Sequence, residues 1–104
     1  MEIARSSNVR TSHRFEVGDT VVVTSLIQYP RATFSRAQRT GTVVALGKAT
    51  MGPVVYVDLG WPIYEGCIDS KAAANQIARE VKALNPSFEG DGYSIICIAE
   101  DFVE

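Results

Sequence analysis

Hydrophobic side chains follow the chain in short runs that turn residues separate. The runs at 20–27, 40–46 and 54–59 are rich in β-branched residues and predict three strands. A fourth apolar run at 93–99 predicts a fourth strand, and residues 100–104 predict a short helical turn or a last brief strand. Because the connections between the first three strands leave no room for helical crossovers, the strands are expected to pair antiparallel.

The periodicity changes from that of a strand to that of a helix beyond the third strand. Apolar side chains recur at steps of three and four residues in the segment 70–84, which predicts an amphipathic helix. Asp69 or Ser70 is a favourable N-cap residue. Pro86 ends the helix, since the residue before a proline avoids the helical region. The helix therefore interrupts an otherwise β chain within the segment 60–92.

The alternating apolar side chains of the strands and the apolar face of the helix together predict the hydrophobic core. Its members are Val21, Val23, Val43, Val55, Val57, Leu59, Ile77, Val81, Ile96 and Ile98. A one-residue slip in the last strand would exchange Ile96 and Ile98 for Ile95 and Cys97, because neighbouring residues of a strand face opposite sides of the sheet.

Three segments carry a resemblance to a known family of folds: Phe15-x-x-Gly18-Asp19-x-Val21-x-Val23, Thr40-Gly41-Thr42-Val43 and Val55-x-Val57-x-Leu59. This pattern resembles an SH3-like barrel of the KOW type, and the closing run from Ile98 to Glu104 looks like the terminal strand of that group. The resemblance covers residues 15–59 and 93–104. It implies a mainly β fold, a partly open five-stranded antiparallel barrel. The chain departs from this pattern by one inserted α-helix, which the periodicity places at about residues 70–84.

The domain organisation follows from the same pattern. Residues 1–14 are polar and aperiodic, which predicts a flexible N-terminal arm. Residues 15–104 are expected to form a single SH3-like barrel domain with a helical insertion at 60–92. The absence of a long apolar run and of an apolar signal-peptide core predicts no membrane association and a cytoplasmic location.

The charge of the chain is unevenly distributed. Residues 1–48 carry seven basic and three acidic side chains, whereas residues 49–104 carry three basic and nine acidic ones. Such asymmetry suits a face that binds polyanions, or head-to-tail self-association between unlike faces. It also arises with no functional meaning, because a single domain folds both halves together.

The side-chain inventory disfavours catalysis and metal binding. His13 is the one histidine and falls in the predicted arm, while Cys67 and Cys97 lack the spacing of a zinc site. Glu100 and Asp101 are adjacent carboxylates near a terminus and are expected to be solvated rather than to form a general acid–base pair. We therefore expect no catalytic residue, no metal, no cofactor and no enzymatic activity.

Arginines and aromatic rings cluster in the loop 28–39, between the first two strands. Guanidinium groups grip phosphates and exposed rings stack on bases, so this loop is a candidate site for RNA or DNA. Its candidate residues are Tyr29, Arg31, Phe34, Arg36 and Arg39. Alternatively, Phe34 tucks into the barrel mouth and leaves ordinary surface arginines. The acidic pI of about 5.4 disfavours nucleic-acid binding.

A second candidate site is the apolar cluster before the helix, formed by Trp61, Pro62, Ile63 and Tyr64. Tryptophan and tyrosine are favoured interface anchors. Alternatively, Trp61 plugs one end of the barrel. The interpretation we favour is a small non-catalytic binding or accessory module that acts through contacts with a partner protein or through self-association as a homo-oligomer. Nucleic-acid binding through the loop 28–39 is the alternative function, and an enzyme of unknown reaction is the least favoured of the three.

Overall fold

The computed structural model describes residues 13–24, 34–50, 52–64 and 68–104. These residues are mainly β, as predicted, with one α-helix. The elements are β1 (Thr20–Val22), a 3₁₀ turn (Ala37–Arg39), β2 (Thr40–Ala49), β3 (Gly52–Asp58), α1 (Ser70–Leu84), β4 (Ile95–Ala99) and a second 3₁₀ turn (Glu100–Phe102). The helix lies where the apolar periodicity predicted it.

The four strands form one antiparallel meander in the order β1-β2-β3-β4. Strand β2 belongs to both halves of the sheet, pairing with β1 up to Thr42 and with β3 from Thr42 onward. The register between β2 and β3 shifts between Val43 and Ala45. An extra residue of this kind bends a strand and increases its twist. The sheet therefore curls into a half-barrel.

The C-terminal residues close the curled sheet against β1. Val103 forms an isolated antiparallel bridge with Val23, and Val22 and Glu104 exchange two backbone hydrogen bonds of 3.0 and 2.8 Å. The prediction of five strands is wrong for the described residues, which contain four. The expected last strand is reduced to this bridge because the residues before it, Glu100–Phe102, coil into a 3₁₀ turn instead of extending.

The sheet is buried on both faces. The inner cluster consists of Val21, Val23, Val43, Val55, Val57, Leu59, Ile63, Ile96, Ile98 and Val103. The outer cluster lies between the sheet and α1 and consists of Ala45, Val54, Tyr56, Val81 and Ile95. The predicted core is confirmed except that Ile77 is only partly buried, against the outer cluster. Ile96 and Ile98 face the inner cluster, as the predicted register requires, and Cys97 is exposed.

Helix α1 is tied to the sheet just after its C-terminal end and lies in close contact with one glycine of the loop that follows it. Asp69 is the N-cap, but it adopts a left-handed backbone (φ 60°) and its side chain makes no capping hydrogen bond. At the other end the Asn85 side-chain amide donates to the Val44 carbonyl at 2.9 Å. A Cβ at Gly92 would overlap the carbonyl oxygen of Ala74, so the chain after the helix lies directly on the helix backbone.

Candidate functional site

The two candidate clusters of the sequence meet in one place. The rings of Phe34 and Trp61 stack with their centroids 5.6 Å apart and their planes inclined by 30°. The indole N–H of Trp61 donates to the Gln38 carbonyl at 2.8 Å. Both rings are partly buried against the inner cluster, and Pro62 beside them is exposed. We call Phe34, Trp61 and Pro62 the aromatic surface.

The segment that carries Phe34 is shaped by a reciprocal pair of local hydrogen bonds. The Ser35 backbone N–H donates to the Gln38 side-chain oxygen at 3.0 Å, and the Gln38 N–H donates to the Ser35 hydroxyl at 3.2 Å. This arrangement, like a capping box, satisfies donors at the start of a helical turn. The short 3₁₀ turn Ala37–Arg39 therefore has a fixed start, and the carbonyl that accepts from Trp61 lies within it.

The segment that carries Trp61 is shaped by a turn at the end of β3. Gly60 has φ +80°, a conformation that glycine adopts at little cost, and its N–H donates to the Asp58 carboxylate at 2.9 Å. The same carboxylate oxygen accepts from the Ser94 hydroxyl at 2.7 Å. This turn directs the chain from the sheet toward Phe34.

The arginines of the predicted nucleic-acid site have different environments. The Arg39 guanidinium donates to the carbonyls of Val23 at 2.7 Å and Phe34 at 3.3 Å, so it ties the end of β1 to the segment that carries Phe34. Arg36 is exposed. Tyr29 and Arg31 lie outside the described residues. Of the five predicted residues, Arg36 is therefore exposed, Phe34 is partly buried, and Arg39 has a structural role.

The predicted interface cluster is divided between core and surface. Ile63 is 2% exposed and belongs to the inner cluster, so a partner would not reach it. Tyr64 is partly buried, and its hydroxyl donates to the Ile95 carbonyl at 2.9 Å. Pro62 is exposed and Trp61, like Tyr64, is partly buried, so the accessible part of this cluster is smaller than the sequence indicated.

Glu100, which was expected to be solvated, is 1% exposed. Its carboxylate accepts from the Arg14 backbone N–H at 3.0 Å and lies 3.1 Å from His13 Nδ1 and 3.4 Å from the Arg14 Nε. The Arg14 guanidinium also donates to the Glu100 carbonyl at 3.0 Å. His13 and Arg14, placed in the predicted arm, are therefore fastened to the second 3₁₀ turn. Residues 1–12 of that arm lie outside the described residues.

A second accessible apolar feature lies on the same 3₁₀ turn. The Phe102 side chain is 43% exposed, whereas its carbonyl accepts from the N–H and hydroxyl of Thr24 at 2.8 and 3.1 Å. Asp101 and Glu104 on either side are also exposed. We call Asp101, Phe102 and Glu104 the Phe102 tip. It presents an aromatic ring between two carboxylates on a fixed backbone.

Cys97 lies on β4 opposite Tyr56, whose hydroxyl donates to Glu80 at 2.8 Å. Burial of the Cys97 thiol raises its pKa; contact with Tyr56 lowers it, and the Glu80 charge raises it again. The net effect is a raised pKa for Cys97, even though the residue is exposed. Burial and then the hydrogen bond to Glu80 raise the pKa of Tyr56 above its usual range.

We expect Cys97 to be alkylated slowly at neutral pH. A raised pKa leaves less thiolate at a given pH, and the thiolate is the nucleophile, so the rate profile should rise at higher pH than that of a free cysteine. The measurement is the pH dependence of iodoacetamide alkylation in a Cys67→Ser variant, folded and in denaturant. Near pH 7.5 the folded chain should react several-fold more slowly than the chain in denaturant. Equal rates would contradict a raised pKa for Cys97.

Comparison with protein families, curated proteins and solved structures finds no match to this chain. Among the described residues, no group of three or more histidine, cysteine, aspartate or glutamate side chains is placed to hold a metal ion. In the same residues, no helix has the length and apolar character needed to cross a membrane. The aromatic surface and the Phe102 tip are therefore the features on which a function is proposed.

Proposed function

We propose that this chain is a small non-catalytic binding module, an SH3-like barrel of the KOW type, that associates with a second copy of itself through the aromatic surface. The antiparallel meander, the 3₁₀ turn after β4 and the return of Val103 to β1 support the barrel. The stacked pair of Phe34 and Trp61 beside the exposed Pro62 carries the binding part of the proposal. The free thiol of Cys97 suits a reducing compartment such as the cytoplasm.

The chemistry of the aromatic surface favours aromatic and arginine-rich contacts. Aromatic residues and arginine are enriched at the centres of protein interfaces, where they bury much area at low entropic cost. The exposed Arg36 lies two residues before Gln38, the residue that holds Trp61 in place. The surface therefore combines an apolar centre with a cation at its margin.

The Phe102 tip has the complementary chemistry. It offers an exposed ring between the carboxylates of Asp101 and Glu104. A ring flanked by anions fits an apolar surface flanked by a cation, because opposite charges at the rim steer and orient a contact whose apolar centre supplies the affinity. The proposed contact therefore sets the aromatic surface of each copy against the Phe102 tip of the other in a closed two-fold pair, consistent with the uneven charge along the sequence.

Light scattering tests this contact. At concentrations on the order of 10–100 µM, we expect a mass that rises from that of one chain toward twice that value. Pro62→Glu should return the mass to that of one chain, since it places a charge in the apolar centre. Ala72→Glu adds the same charge at an exposed position of α1 and should leave the mass unchanged. A single-chain mass for the unmodified protein at every concentration would reject self-association.

Nucleic-acid binding is the second candidate, and the exposed Arg36 beside two stacked rings favours it. Two observations weigh against it. Arg39 is committed to backbone carbonyls, and Phe34 and Trp61 already stack on each other. If the protein is monomeric and retards single-stranded RNA or DNA at low salt, and Arg36→Gln weakens the binding and flattens its salt dependence, this second candidate replaces the first.

A further inference from the structure

A groove of about 330 Å³ lies between α1 and the loop that follows it, and its lining residues belong to neither the aromatic surface nor the Phe102 tip. This volume is at the lower end of the range for small-molecule sites. The helix contributes side chains at steps of three and four, which share one face. The lining residues include Asn75, Ala78, Arg79 and Lys82 from α1, and Phe88 and Gly90 from the loop.

The groove is preformed by contacts within the loop and between the loop and α1. The Lys82 ammonium donates to the Phe88 carbonyl at 3.0 Å, and the Phe88 N–H donates to the Asn85 carbonyl at 2.9 Å. Gly90 has φ +144°, and a Cβ there would meet the Phe88 ring at 3.3 Å. Gly92 lies against the helix backbone, which fixes the far end of the loop. A ligand would therefore meet a rigid wall and lose little free energy in ordering it.

The two cations of the groove have neutral partners. The Arg79 guanidinium donates to the Gln76 side-chain oxygen at 2.9 Å, and Lys82 donates to a backbone carbonyl. Across the part of the chain that the structure describes, neither cation forms an ion pair with a carboxylate. Among the described residues that line the groove, Glu89 is the only carboxylate, and it is exposed. Both side chains therefore have unused N–H donors for an anionic ligand.

The remaining surface of the groove is apolar. Ala78 and the Phe88 ring are partly buried, and the ring also packs against the outer cluster. A flat apolar group can therefore lie on Phe88 while an anionic group reaches the two cations. Ala78 provides the necessary room, because a larger side chain at that position of the helix would fill the groove.

We propose that this groove binds a phosphate monoester with a flat apolar body. The phosphate lies between Arg79 and Lys82, and the body lies on Phe88. Two cations match the charge of a phosphate dianion better than that of a carboxylate, and the guanidinium fork can bind two phosphate oxygens at once. Glu89 at the rim disfavours a long polyanion, so the ligand is a small molecule.

Phenyl phosphate is the probe, titrated into ¹⁵N-labelled protein while amide chemical shifts are recorded. We expect saturable shifts at Ala78, Arg79 and Gly90 with a Kd of about 1 mM or lower. Inorganic phosphate, phenol and benzoate should each bind at least about tenfold more weakly. The comparison separates the contribution of the phosphate from that of the ring. Running the titration on Pro62→Glu protein keeps the result independent of self-association.

Variants within the groove complete the test. The double variant Arg79→Gln/Lys82→Gln should lose at least about tenfold in affinity, and the dispersion of its spectrum shows whether it is folded. Asn75→Asp, which adds a carboxylate to an exposed position in the lining, should weaken binding in the same direction. Lys71→Gln removes an exposed cation outside the groove and should change nothing. Absence of saturable shifts, equal affinity for benzoate, or unchanged affinity in both groove variants would overturn the proposal.

Discussion

Replacing Gly92 with alanine is expected to destabilise the folded chain by about 3 kcal/mol. The added Cβ would overlap the Ala74 carbonyl oxygen and lie 3.0 Å from the Ala78 backbone nitrogen. Both of these atoms belong to the backbone of α1, so no side chain can rotate to make room. The loop and the helix would have to separate, and either movement disturbs the outer cluster, because Val81 of the helix and Phe88 of the loop both pack there.

Urea unfolding measures this effect, and Gly47→Ala is the matched control. A Cβ at Gly47 would meet the side chains of Leu84 at 3.1 Å and Tyr56 at 3.3 Å. Side chains can adjust where backbone cannot, so this variant should cost less than about 1 kcal/mol. A free energy of unfolding for Gly92→Ala within about 0.5 kcal/mol of the unmodified protein would contradict the close approach of the loop to α1.

Glu100→Ala is expected to lower the free energy of unfolding by about 2–3 kcal/mol. The substitution removes the buried carboxylate that accepts from the Arg14 N–H and contacts His13, and it leaves a hole in the core. Glu100→Gln keeps the shape and one acceptor oxygen, so its loss should be smaller. The free energy of unfolding should be highest with glutamate at position 100, lower with glutamine and lowest with alanine.

Asp101→Asn is the matched control, because Asp101 is the exposed neighbour of Glu100. Measured in Pro62→Glu protein, in which the tip makes no contact with a second copy, it should change the unfolding free energy by no more than about 0.5 kcal/mol. Hydrogen exchange adds a local readout, since the Arg14 amide should exchange faster in Glu100→Ala than in Asp101→Asn. If Glu100→Ala and Asp101→Asn are equally stable, Glu100 does not hold the segment of His13 and Arg14 in place.

The elements could be predicted because local patterns determine them. The apolar residues in 70–84 recur with the period of a helix, and the valine-rich runs are typical of strands. The burial of both sheet faces also left a signal, because residues 54–57 are apolar without interruption. Such a run is typical of a strand covered on both sides, here by the inner cluster and by α1.

The contacts between distant segments could not be predicted. Glu100 finds its donors 86 and 87 positions away, and nothing in its own surroundings distinguishes it from Asp101. Phe34 and Trp61 were assigned to two separate sites, and only the folded chain stacks them. The fifth strand was expected from a resemblance, but the 3₁₀ turn Glu100–Phe102 replaces extended backbone there.

A charge-exchange experiment tests the proposed contact between copies most directly. Arg36→Glu alters the cation beside the aromatic surface, and Asp101→Arg/Glu104→Arg alters the two carboxylates of the Phe102 tip, all at exposed positions. Sedimentation velocity should find each variant alone at the mass of one chain, because each places like charges across the contact. Their equimolar mixture should recover twice that mass, because both contacts between the unlike variants pair opposite charges: the altered surface with the altered tip, and the original surface with the original tip. A mixture that stays at the mass of one chain would contradict the association of the aromatic surface with the Phe102 tip.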